Sequence, residues 1–184
     1  MAAVSIQDHI GIAFRLAKRD TSAFAEIGNT PAAFWFSFRA ALVTLPFLLS
    51  TIVLSAEGGI GPLDLLAEIA QYAVGWLLFP VVMLEVCAVI NRQKEYCRYI
   101  ATSNWCGVIE DGLLAAILVL RAIDIIPGSL GGILFFGVVV WVFSFQFFVA
   151  RHGLRLDPAG AALIVGLRLI LALALFFAKA ILGS

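Results

Sequence analysis

The residues of this sequence that could do chemistry stand where hydrocarbon is expected. The stretch AGAALIVGLRLILALALFF, residues 159–177, is long enough to cross a bilayer and carries Arg168 near its middle. A guanidinium stays charged in proteins, and a cation near mid-bilayer costs at least ~2.5–3.5 kcal/mol on insertion scales. It therefore needs an answering group. Glu85, Glu110, Asp111 and Gln146 stand in three other apolar stretches. Counting about 1.5 Å per residue from the basic end of each stretch, Arg168 lies ~13 Å in and Glu85 ~9 Å in. Glu110, Asp111 and Gln146 lie ~6–8 Å in. Four helices thus send polar groups to one layer. Glu85 is the leading counter-ion for Arg168, with Asp111 and Glu110 as competitors. Adjacent helical residues point about 100° apart, so one of Glu110 and Asp111 is expected to face inward and the other to reach the interface.

Such a layer has two readings. It can be an ion-pair network that fixes helix packing, or a proton, ion or ligand site, since ionisable groups inside a membrane point to function by default. A carboxylate beside an arginine stays ionised, which suits anchoring better than proton carriage. That favours the structural reading. A second set, Arg121 and Asp124, sits near the opposite end of its stretch, at a spacing that allows a same-helix ion pair.

Other chemistries lack their residues. Cys87, Cys97 and Cys106 form no CxxC pair, and His9 and His152 are isolated. No HExxH motif, P-loop or GxGxxG turn occurs. The expectation is a chain with no catalytic residues, metal site or cofactor. The formal net charge is zero, which gives no argument for nucleic acid.

The elements that must hold these residues follow from composition. The chain has 184 residues, 62% hydrophobic and 13% charged, where soluble domains run near 45–50% and 25%. Five segments approach the ~20 apolar residues a spanning helix needs: roughly 35–56, 65–90, 106–126, 130–150 and 159–182. A spanning chain must satisfy its backbone internally, and no alternating strands are present for a barrel. The predicted fold is an all-α integral membrane bundle of five transmembrane helices, residues 35–184, preceded by an amphipathic N-terminal segment, residues 1–34. Pro46 and Pro80 fall inside the first and second spans, where each removes one backbone donor and is expected to kink its helix, as ordinary membrane-helix prolines do.

In the N-terminal segment, Ser5 and Asp8 fit a helix start. Ile6, Ile10, Phe14 and Ala17 recur at helical spacing, with Arg15, Lys18 and Arg19 elsewhere on the turn. This predicts a helix lying in the membrane interface or packed on the protein's own cytosolic face; the two are compatible. Arg15, Lys18, Arg19, Arg39, Arg92, Lys94, Arg98, Arg151 and Arg155 fall on one side of a five-span chain, and the loops EGGIGPLDLLAE and PGSLGG carry no Lys or Arg. Positive-inside orientation puts the N-terminus in the cytosol and the C-terminus outside. No signal peptide is recognisable in residues 1–30. Small residues Ala159, Gly160, Ala162 and Gly166, with Gly132 and Gly137 on span four, predict close internal helix packing.

Five spans, a cytosolic N-terminal region entering span one through NTPAAFWFSF, and a short last loop resemble the Yip1-like membrane family. Eukaryotic members are implicated in vesicle traffic and carry a long hydrophilic N-terminal domain. The short loops and Ala/Leu/Gly/Arg-rich composition look more like a bacterial inner-membrane protein, with a periplasmic C-terminus. The resemblance implies no catalytic residue. The expected role is a non-catalytic scaffold or accessory subunit in the bilayer, associating with other membrane proteins or with itself. The alternative is a small oligomeric transporter or channel. The two differ in whether the charge layer lines water or is sealed by packing.

Overall fold

The computed structural model describes residues 5–55 and 59–182. Ala56, at the end of the first expected span, and residues 57–58 of the EGGIGPLDLLAE loop lie outside the described residues. Among the described residues every regular element is helical. Helix α1 runs Ile6–Ala17, α2 Pro31–Ser37, α3 Arg39–Ser55, α4 Pro62–Val89, α5 Tyr96–Ala122, α6 Gly128–Gly153 and α7 Pro158–Leu182. Single 3₁₀ segments, Thr21–Glu26 and Gln93–Glu95, precede α2 and α5. Four stretches are long and apolar enough to cross a membrane: Pro31–Leu54, Pro62–Val89, Gly128–Gly153 and Pro158–Ala178.

Helix α1 starts where expected. The Asp8 carboxylate accepts from the Ser5 N–H at 2.8 Å, and Ser5 Oγ accepts from the Asp8 N–H at 3.2 Å, so two otherwise unpaired donors are satisfied reciprocally. The buried seam is His9, Ile12, Ala13 and Leu16, packed on α5. Ile6, Ile10 and Ala17 only border the core, and Phe14 is 54% exposed. The expected stripe is therefore rotated. His9 and Ala13, one polar and one small, complete an i, i+3, i+4, i+7 face that bulk alone does not reveal. His9 stacks on Trp105 with ring centres 5.0 Å apart. Residues of the N-terminal segment, including Leu16, Phe24 and Ile27, share one core with the long helices.

The NTP entry has a local physical cause. Thr30 caps α2 by accepting from the Ala33 N–H, and Pro31 occupies a first-turn position where no N–H is needed. The Asn29 amide donates to the Lys94 carbonyl at 2.6 Å and accepts from the Arg98 N–H at 3.1 Å. Arg19 donates to the Ser144 carbonyl and hydroxyl at 2.9 and 2.8 Å, and Arg92 to the Arg155 carbonyl at 3.3 Å. The segments carrying most of the basic residues thus meet at one end of the bundle.

Helix α5 is the axis. It touches α1, α2, α3, α4 and α6, and every residue from Tyr99 to Glu110 is buried. Helix α5 begins ten residues before the expected third span, 106–126, and is not among the four stretches apolar enough to cross a membrane; its first half carries the polar Thr102, Ser103 and Asn104. All three are buried. Thr102 Oγ1 donates to the Arg98 carbonyl at 2.7 Å, and the Asn104 amide donates to Ser37 Oγ at 2.9 Å, so their burial is compensated. The small residues expected to line helix crossings do not. A Cβ on Gly132, Gly137 or Gly166 would meet nothing within 4 Å, and Ala159 and Ala162 are exposed. Gly160 instead helps start α7, its N–H donating to Asp157 Oδ1 at 2.9 Å.

Candidate functional site

The buried residues of α4 are Phe79, Pro80, Met83 and Cys87, all in its C-terminal half. Its N-terminal half has no buried residue. The space left between α3, α4, α5 and α7 is a cavity of about 580 Å³. Glu110, Asp111 and Ser103 of α5, Arg168 of α7, and Tyr72, Gln71 and Glu68 of α4 line it. Phe47, Trp76 and Phe79 make much of the apolar wall.

Each polar group is held differently. Arg168 reaches from α7 to α5 and donates to Ser103 Oγ at 2.5 Å. Its guanidinium carbon lies 4.6 Å from the Phe79 ring centre, a cation–π distance. Glu110, 6% exposed, accepts from the Gln146 amide of α6 at 2.8 Å. Asp111 is partly exposed and makes no hydrogen bond or ion pair among the described residues. The Tyr72 hydroxyl donates to the Ala41 carbonyl at 2.6 Å and lies 2.5 Å from Thr44 Oγ1, tying α4 to α3 across the cavity mouth.

Four of the five residues expected in the polar layer, Glu110, Asp111, Gln146 and Arg168, are at or beside this cavity. Glu85 is not. It is exposed, because it stands two residues from both Met83 and Cys87, roughly 200° round the helix from the buried face. Arg168 keeps the inward face of α7, four residues on from buried Ile164. The expected divergence of Glu110 and Asp111 is also corrected. Both line the cavity, because α5 starts at Tyr96 and carries them about 21 Å along the helix rather than near its end.

The Arg121–Asp124 ion pair does not form. Among the described residues the ion pairs join Arg15 to Asp20 and to Glu26. Helix α5 stops at Ala122, Asp124 turns the chain with φ of +55°, and the Arg121 side chain lies over Gly131. Both residues line a separate hollow at the far end of the bundle. The residues that sequence reasoning missed are Ser103, Tyr72, Thr44, Gln71 and Glu68. Tyr72, Gln71 and Glu68 share one face of α4 at i, i+3, i+4 spacing, a signal that was available.

Among the described residues no group of three or more His, Cys, Asp or Glu could hold a metal ion. No protein-family model, curated protein or solved structure matches this chain. What the fold defines is an all-helical chain with four helices long and apolar enough to cross a membrane.

Proposed function

We propose that this chain is a five-span inner-membrane protein whose cavity receives a small solute, as in a small oligomeric carrier or channel. Five crossings are supported by α5, whose 27 residues give about 40 Å of helix. A fifth crossing also explains why α4 and α6 end, and α5 and α7 begin, at the same basic end. That end is read as cytosolic, the far end as periplasmic, by the positive-inside rule. The five-span Yip1-like architecture fits this arrangement. On this reading α1 lies flat beneath the bundle, with exposed Phe14 and Trp35 at the level of the headgroups.

One observation carries the solute reading. Asp111, Glu110 and Arg168 border open volume rather than closing on one another as ion pairs. A sealed network would suit a scaffold; space beside unpaired charge suits a ligand. The accessory-subunit reading draws on a different observation, the hydrogen bonds that already occupy Glu110 and Arg168.

The test is chemical access. Asp111→Cys, in a background with Cys97→Ser, is treated in membranes with a charged, impermeant methanethiosulfonate. Reaction from at least one side supports an open site. A thiol that reacts only after denaturation means the layer is sealed, and the accessory reading then stands.

A further inference from the structure

We propose that the ligand of this cavity is an organic cation, an amine or quaternary ammonium with an apolar body; this rests on the reading of the cavity as a solute site. Three observations point to it. The first is charge. Beside the one guanidinium of the lining, Arg168, stand two carboxylates of α5, Glu110 and Asp111. Arg168 is already answered by Ser103 Oγ and by the face of Phe79, and Glu110 by Gln146. Asp111 is left with no cation within ion-pair distance among the described residues. An anion entering here meets an excess of negative charge. A neutral ligand leaves Asp111 unpaired as it displaces water, which is costly.

The second observation is the wall. Besides Phe79, whose face Arg168 occupies, Phe47, Tyr72 and Trp76 line the cavity, with Tyr72 and Trp76 edge to face at 6.1 Å. Aromatic faces attract desolvated organic cations through their quadrupole and receive the apolar body by ordinary burial. A small metal ion has no use for such walls. The third observation is size. About 580 Å³ falls within the range of pockets that enclose drug-sized molecules. Ala172, exposed on α7, forms part of the rim, so a ligand with an apolar body has a wall of small side chain to pass.

The experiment compares two probes of nearly one shape and opposite charge, tetraphenylphosphonium and tetraphenylborate. Equilibrium binding is measured on the full chain in nanodiscs, with empty nanodiscs subtracted. The expected result is saturable tetraphenylphosphonium binding, weakened about tenfold or more by Asp111→Asn, and no chain-dependent tetraphenylborate binding. Ala172→Phe narrows the cavity from an exposed position and should weaken binding without disturbing the fold, so a folding defect in Asp111→Asn does not decide the matter. Binding of tetraphenylborate alone overturns the cation and leaves the solute cavity standing. Tetraphenylphosphonium binding indifferent to both substitutions overturns the site. If neither probe binds while the thiol introduced by Asp111→Cys reacts with the impermeant reagent, the cation class fails alone; if that thiol is also unreactive, the cavity reading fails with it.

Discussion

Arg168 and Ser103 join α7 to α5 through one charge-assisted hydrogen bond of 2.5 Å. No carboxylate lies within ion-pair distance of this guanidinium among the described residues. The cation that the sequence makes conspicuous is therefore held by a hydroxyl and an aromatic face. Interhelical hydrogen bonds in membranes average about 0.6 kcal/mol and reach about 1.7, and those to charged groups lie at the upper end. A double-mutant cycle of Ser103→Ala with Arg168→Leu should show a coupling of about 1 kcal/mol in unfolding from mixed micelles. The same cycle with Glu85→Gln in place of Ser103→Ala should show none. Coupling to Glu85 would mean that α4 is turned by half a helix from the arrangement described.

Tyr72 should be the hinge pin between α3 and α4. Its hydroxyl meets both the Ala41 carbonyl and Thr44 Oγ1, and the α4 half that carries it has no buried residue to hold it otherwise. Tyr72→Phe should cost about 1 kcal/mol of stability. Thr44→Val should cost less, since Tyr72 keeps the Ala41 carbonyl. Tyr72→Phe should also quicken the reaction of Asp111→Cys with thiol reagents, because α4 then moves more freely. An unchanged rate would show that the mouth is set by something other than this bond.

How much of this was legible in the sequence depends on what each residue faces. Four apolar spans can be read because lipid-facing helices must be apolar on almost every side. The start of the fifth long helix is hidden because its first half is buried and polar, and hydrogen bonds satisfy Thr102 and Asn104. Depth along a helix is a fair guide to which residues share a layer, and Glu110 and Gln146 do meet. Depth says nothing about azimuth. Glu85 therefore matches Arg168 in depth although it stands on the opposite face from Met83 and Cys87. The cavity itself was not legible, since it lies between α3, α4, α5 and α7 and depends on how four helices pack, which no single residue type encodes.

Acid should loosen the N-terminal segment before the bundle. The Asp8 carboxyl is held below the ordinary 3.8 chiefly by the Ser5 N–H and hydroxyl, and that of Asp20 by the Ser22 hydroxyl and then by Arg15. A carboxyl depressed by folding contributes stability that is fully present above its unfolded pKa and is lost as pH falls through the folded one. Amide protection in α1, corrected for intrinsic exchange, should therefore be flat from about pH 8 to 5 and fall below about pH 4. Asp8→Asn with Asp20→Asn should flatten that fall. Protection that instead declines between about pH 5 and 7 would implicate a histidine and not these carboxylates.

Cys97 reports which side of the membrane the basic end occupies. It stands in the first turn of α5, partly exposed, next to Arg98, whose N–H is bound by Asn29. Cys87 and Cys106 are buried, and a thiol must be reached, and ionised, to react. In native membranes an impermeant maleimide should thus label one thiol per chain. With the N-terminus in the cytosol, labelling should occur in inside-out vesicles and be absent from intact spheroplasts, and Cys97→Ser should remove it. Labelling of spheroplasts would invert the topology. It would then turn Arg15, Lys18, Arg19, Arg92, Lys94, Arg151 and Arg155 into a rare exception to the positive-inside rule.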